Sequence, residues 1–445
     1  MNELAIELNE QIKAGNPHVY EMLSPRGKEL FFPKGILTQS AEAKEHAHRF
    51  NATIGMATEE GHIIYLPSVM SHLSDIAADD ALTYAPALGV MDLRKAWLAK
   101  QLADNPSQLG KVTTLPIVTN GLTHGLSIVG DLFVGEGDAL LLPDKLWGNY
   151  RLIFGTRLGA KIAYHPFFNP PEADGLDTDG FRAKVKELSG PGRKLIVLLN
   201  FPNNPVGYTP TKSEGEKLAR ALVEAADAGT NVIALTDDAY FGLTYTSDAM
   251  TESLFGYLAG AHPRLLAIKA DAATKEIYAW GLRIGFLTFG PSRPTDGLLT
   301  ALEKKTAGAI RGAMSNCARL SQTIILKALR SPTLAVERKQ KYLLMKRRAE
   351  KVKQVLQKAE YKGAWEAYPF NSGYFMCVRV KGASLPAGGV GAEELRKHVL
   401  KQYGVGVISI GDEDIRIAFS CLDEGQIEEL FDLLCKGVQE LRRSK

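Results

Sequence analysis

Between residues 110 and 290, short apolar runs bounded by Gly, Pro, Asn or Asp alternate with stretches of helical periodicity. The runs are LPIVT (115–119), ALLLP (139–143), KLIVLL (194–199), NVIALT (231–236), RLLAIK (264–269) and LRIGFLTF (282–289). Unbroken apolar character is what a strand needs when both of its faces are covered. The intervening segments, such as 212–229 with its Ala- and Leu-rich face, read as the covering helices. Strands alternating with helices predict an α/β fold on a mostly parallel sheet. After Pro332 the rhythm changes. A charged stretch at about 335–360 predicts one long helix, FMCVRV, VGVISI and IRIAF predict short strands of a smaller α+β unit, and 425–442 predicts a closing amphipathic helix. The first 70 residues lack the strand–helix rhythm and are expected to wrap onto that second unit. The predicted organisation is a large α/β domain at 70–325 and a small domain built from 1–69 and 326–445.

Open α/β sheets bind ligands outside the carboxyl ends of their strands. Asn120-Gly121-Leu122-Thr123 follows the first run and opens a helix. Trp147 follows the second run, in DKLWGNY, and Asn204 follows the third, in NFPNNPVG. Asp237 and Tyr240 follow the fourth, Lys275 follows the fifth, and Arg283 enters the sixth. Singly, each has an ordinary explanation. An Asn-Pro pair is a turn, a lone Lys is solvated, and an Asp at a strand end caps a helix. Together they put an amine, a carboxylate, a phenol, an amide, a guanidinium, a flat aromatic and a helix N-terminus on one sheet edge. That set suits a phosphorylated aromatic aldehyde with a ring nitrogen, pyridoxal 5'-phosphate. The helix start at Asn120, Gly121 and Leu122 would hold the phosphate together with Arg283. Trp147 would stack on the ring and Lys275 would form an imine. Asp237 would pair with the ring nitrogen, and Asn204 and Tyr240 would hydrogen-bond the ring oxygen.

Composition narrows the alternatives. A formal charge of +3 across 445 residues, without a basic block, argues against nucleic-acid or membrane-surface partners. Four dispersed cysteines lack metal-ligand or disulfide-framework spacing, and His46 and His48 have no third ligand, so no metal is expected. The opening MNELAIELNE carries three glutamates and no basic residue, unlike a secretory or transit leader, so a cytoplasmic location is expected. No GxxxxGK[ST], GxGxxG or GxSxG is present.

Spread over about 51–420, these residues resemble the class I aminotransferases of fold type I, and most closely the aspartate aminotransferase branch. NATIGMATEEGHIIYLPSV (51–69) is similar to the family's substrate-loop segment, with Gly55 at its substrate-contacting glycine. YAPALG (84–89) resembles the loop whose tyrosine, here Tyr84, reaches the phosphate of the neighbouring subunit. PDKLWGNY resembles the ring-stacking loop, NNPVG the Asn-Pro-x-Gly turn, and Lys275 and Arg283 keep the eight-residue spacing. IRIAF puts Arg416 where the family binds the substrate α-carboxylate. AIRGAMSN (309–316) puts Arg311 where an arginine crosses the dimer to a side-chain carboxylate. Trp147 and Asn204 would also touch substrate. Three positions depart from the pattern: Ala272 replaces a serine, Tyr150 a histidine, and Cys317-Ala318 a Pro-Pro pair. The resemblance implies a homodimer with shared active sites. It would move the amino group of a dicarboxylic amino acid to a 2-oxo acid by ping-pong kinetics, with Lys275, Asp237 and Tyr240 catalytic. An aromatic aminotransferase shares the pattern and stays open, as does a non-enzymatic cofactor-binding regulator. The regulator would need a DNA-binding module that the first 50 residues do not suggest.

Overall fold

The structure is a computed structural model and describes residues 1–33, 35–170, 173–381 and 389–444. Its centre is a seven-stranded sheet of β1 (Ile117–Asn120), β2 (Ala139–Pro143), β3 (Lys161–His165), β4 (Lys194–Asn200), β5 (Asn231–Asp237), β6 (Leu265–Ala272) and β7 (Ile284–Gly290). The order is β1-β7-β6-β5-β4-β2-β3; β7 pairs antiparallel with β1 and β6, and the other pairs are parallel.

The apolar runs form central strands because successive side chains fill opposite layers. Leu195, Val197 and Leu199 of β4, with Val232 and Ala234 of β5, join one buried cluster with Phe181, Val185, Leu218 and Leu222 of the helices Thr178–Leu188 and Lys212–Asp227. Ile196 and Leu198, with Ile233 and Leu235, face the other way. They meet Leu126 and Val129 of the helix Gly121–Phe133 and Ile310 of the helix Asp296–Met314. Six of the seven strands coincide with runs read from the sequence. The seventh, β3, was not anticipated. Among the described residues it is an edge strand pairing only with β2, and its exposed Lys161 and Tyr164 break the apolar signal.

A second, antiparallel sheet contains β8 (Trp365–Ala367), β9 (Met376–Val380), β10 (Ile408–Ile410) and β11 (Asp414–Ile417), ordered β8-β9-β11-β10. The helices Leu334–Val355, Ala392–Tyr403 and Glu424–Arg443 pack into the same core as its strands. The long helix stops at Val355, short of the predicted 360, and a 3-10 turn at Ala359–Tyr361 follows. From the start of the chain, Phe50–Asn51 pairs in parallel with Val405–Gly406, and Gln39 of the helix Ile36–His46 exchanges two hydrogen bonds with the Ser409 backbone.

An ion pair joins the sheets beside the strand ends, with Lys145 Nζ 2.6 Å from Asp414 Oδ2. On the second sheet's own side, Tyr368 OH donates to Asp414 Oδ1 at 2.9 Å. Among the described residues, no helix is long and apolar enough to cross a membrane, and no group of three or more His, Cys, Asp or Glu could hold a metal ion.

Candidate active site

Register sets the polar groups side by side. Asn200 ends β4 opposite Asp237, which ends β5, while Asn120 ends β1 opposite Ile284, the residue after Arg283. A cavity of about 890 Å³ lies outside this edge, between the two sheets. Asp237, Tyr240, Lys275 and Arg283 line it from the central sheet, with Leu122, Trp147 and Asn204. Gly55 and Arg416 line its other wall.

Asp237 is fully enclosed and held at both oxygens. Tyr150 OH donates to Oδ2 at 2.6 Å and the Ala239 N–H to Oδ1 at 3.1 Å. Burial raises its carboxyl to about 6, against the lowering effect of the Tyr150 bond, the Ala239 N–H and nearby Lys275. Lys275 sits on the single turn Ala273–Glu276 just beyond β6, with Nζ 4.5 Å from the Tyr240 ring centroid. Burial lowers its ammonium to about 8; Asp237 opposes the shift and Arg283 adds to it. An amine at that value is neutral in a far larger fraction near neutral pH than an ordinary lysine, which favours a nucleophile or proton carrier.

Arg283 holds a left-handed backbone, φ 53, at the end of a 3-10 turn, a strained conformation for a residue with a Cβ. It projects onto Gly121, the first residue of its helix, where φ is +76 and any Cβ would collide with the guanidinium. The helix N–H groups and a cation thus form one anion cradle.

Arg416 is 2% exposed. The other deeply buried arginines have carboxylates: Arg94 has Glu303, Arg348 has Asp423 and Arg396 has Glu393. Arg416 has none among the described residues. It donates to Asn204 Oδ1 at 3.1 Å and to the Thr53 carbonyl at 2.8 Å, lies 4.2 Å from the Phe375 ring centroid, and leaves Nε unpartnered. Burial lowers its proton affinity, but Arg remains charged, and a buried unpaired cation calls for an anion. Asn204, engaged through its oxygen, keeps its NH2 for the cavity.

These groups fit pyridoxal 5'-phosphate: an anion cradle at one end, an amine and a carboxylate along the sheet edge, and an indole beside them. The model of the family "Aminotransferase class I and II" matches residues 53–434. The chain belongs to this family. Its curated relatives include a cytoplasmic aspartate aminotransferase of Arabidopsis thaliana, 28% identical over 241 residues, 52% of this chain and 55% of that one. A probable N-acetyl-LL-diaminopimelate aminotransferase of Bacillus subtilis is 26% identical over 61% of this chain and 62% of its own. The matches thus span little more than half the length of these relatives. Among solved structures, an aminotransferase from Anaerococcus prevotii superposes with a TM-score of 0.80 at 22% identity, over 93% of this chain and 98% of that one. A kynurenine aminotransferase from Pyrococcus horikoshii gives 0.75 at 18% identity, over 95% and 98%. The fold is that of these aminotransferases, fold type I, and the family is pyridoxal-phosphate-dependent.

In this aminotransferase four of the expected residues, Tyr84, Arg311, Asn120 and Gly121, are not part of the cavity lining. Tyr84 is 89% exposed. Arg311, in the last turn of the helix Asp296–Met314, is exposed and donates to Ser315 Oγ. Asn120 stands just behind the cradle, its N–H donating to His124 Nδ1 at 3.0 Å. Sequence reasoning missed Ile36, Trp280 and Phe375 in the cavity wall. In the sequence Phe375 reads only as the start of a strand, and Ile36 lies in the unpatterned first segment. Tyr150, noted only as a departure, grips Asp237.

Proposed function

We propose that this chain is an aminotransferase using pyridoxal 5'-phosphate, and that it moves the amino group of aspartate or glutamate to a 2-oxo acid. The observation that carries the reading is a buried guanidinium without a carboxylate, Arg416, facing the same cavity as an amine poised near neutral pH, Lys275. An α-amino acid supplies the missing carboxylate, in a bidentate pair that fixes the orientation of its Cα bonds. When bound, the cofactor supplies a carbonyl for amino-group exchange and a ring that accepts electrons.

The chain's own groups do the rest. The Gly121 helix start, with Asn120 and Leu122, and Arg283 hold the phosphate. Trp147 covers the ring, and Asp237 pairs with the ring nitrogen. Asn204 and Tyr240 donate to the ring oxygen. Tyr240 is pushed up by burial and so keeps its proton. Lys275 takes and returns the proton at the substrate Cα. Gly55 lies in the same wall, where a Cβ would make ordinary contact with the Phe375 ring at 3.5 Å and the Tyr240 hydroxyl at 3.6 Å.

Tyr84 and Arg311 belong, in this reading, to the partner's site in a two-fold homodimer, where Arg311 meets the side-chain carboxylate. The division into a cofactor-binding unit at 70–325 and a second unit of 1–69 with 326–445, and a cytoplasmic setting for four free cysteines, are part of the same proposal. An aromatic substrate is the second reading. It rests on a cleft of about 2080 Å³ that shares Ile36 and Trp147 with the cavity.

A panel of amino acids tested for converting the cofactor's aldehyde absorbance to that of its amine decides between them. Aspartate and glutamate should react faster than phenylalanine and alanine. Lys275→Ala should abolish both the visible band and turnover, and retained turnover would falsify the role of Lys275.

A further inference from the structure

Tyr150 is a phenol with no role in the proposed reaction, yet it is enclosed as completely as the residues that have one. It is 1% exposed, and its hydroxyl donates to Asp237 Oδ2 at 2.6 Å, the short distance of a charge-assisted O–H···O bond. Trp147 and Tyr150 share one turn: the Tyr150 N–H donates to the Trp147 carbonyl at 3.1 Å, and the two rings meet edge to face, 5.4 Å apart at 88°. A turn of π-helix, Arg151–Thr156, follows at once. Such wide turns are frequent at functional sites.

We propose that Tyr150 is a positioning residue that keeps Asp237 ionised and aimed at the cofactor's ring nitrogen. This rests on the cofactor reading given above. Tyr150 must donate, because its buried hydroxyl stays protonated beside a carboxylate. Asp237 therefore keeps one oxygen as an acceptor for the phenol and the other for the Ala239 N–H. Asn200 Nδ2 holds the Asp237 backbone carbonyl at 3.0 Å, so the strand end cannot turn away. The other charged or titratable groups acting on this pair are Lys275, Asp238 and Tyr240. Asp238 turns its carboxylate to Lys269 instead. No other side-chain donor to the Asp237 carboxylate is found among the described residues. Without the phenol, the carboxyl in its dry site would draw the ring-nitrogen proton to itself, and the ring nitrogen would lose positive charge.

The test is the pH titration of the visible absorbance of the holoprotein, without substrate. A less positive ring holds the imine proton more tightly. Tyr150→Phe should therefore move the midpoint upward by on the order of one pH unit, while the ring's packing on Trp147 stays intact. An analogue with carbon at the ring-nitrogen position gives the control. Loaded with it, wild type and Tyr150→Phe should titrate together, because Asp237 then has no proton to hold. In an Asp237→Asn background, Tyr150→Phe should add no further displacement. Equal midpoints with the natural cofactor, or equal displacement with both cofactors, would overturn the proposal. A wild-type protein that takes up no cofactor would overturn the reading of the cavity and this inference with it.

Discussion

Lys275 carries an amine into a site that penalises its charged form. The sign of the consequence follows from its depressed value. Below pH 8 the folded, cofactor-free protein holds a buried charge that the unfolded chain does not, at a cost on the order of 3 kcal/mol. That cost fades as pH rises from about 8 towards 10.5, where the unfolded chain also releases its proton. Cofactor-free Lys275→Met should accordingly melt above cofactor-free wild type at pH 7, with the difference closing by about pH 10.5, as calorimetry would record. Equal melting at both pH values would mean that the amine sees water. Asp237→Ala should still take up cofactor in equilibrium dialysis but lose most of its rate; an unchanged rate removes the electron-sink role. Residue identity alone disclosed much of this cavity. Lys275, Asp237, Asn204 and Arg283 stand beside strand ends, where chemistry is sought first. Position 150 was legible only through the family pattern, as a departure from a histidine that supports the ring-nitrogen aspartate; that a phenol there still reaches a partner 87 positions away is visible only in space. The isolation of Arg416 escaped for a similar reason, since the absence of a carboxylate is a property of space rather than of sequence.

Among the elements, the apolar runs were legible where both faces of a strand are covered, as in β4 and β5, whose alternate residues fill two layers. The edge strand β3 was not, because half of its surface needs no burial and its residues carry no continuous signal. Short connections matter as much as strands. Gly207, at the end of NNPVG, has φ +72, and a Cβ there would run into the Phe375 carbonyl oxygen and lie 2.8 Å from that of Ser372. That segment supports the ring under Arg416. Gly207→Ala should lower the urea midpoint by the equivalent of more than about 2 kcal/mol. It should also raise the KM for every amino acid substrate. A stable variant with unchanged KM would show that the two segments yield independently.

For the whole molecule, the proposed homodimer makes a prediction that no single chain can meet. Arg311→Ala should raise KM for aspartate and glutamate far more than for phenylalanine, and equal effects would make Arg311 structural. Mixing Lys275→Ala with Arg311→Ala protein should restore aspartate turnover to about a quarter of wild type, because random pairing leaves one intact site in half of the dimers. No recovery after verified subunit exchange would confine each site to one chain. The joining of the first segment to the second sheet, through Phe50–Asn51 on Val405–Gly406, was legible only as a lack of rhythm. Parallel pairing across some 350 positions leaves no local trace. The pair between Lys145 and Asp414 has a wider effect. Lys145 stands two positions before Trp147, and Asp414 two before Arg416. The indole and the guanidinium are thus hung from opposite ends of one electrostatic strut, which ties the spacing between them to a single ion pair.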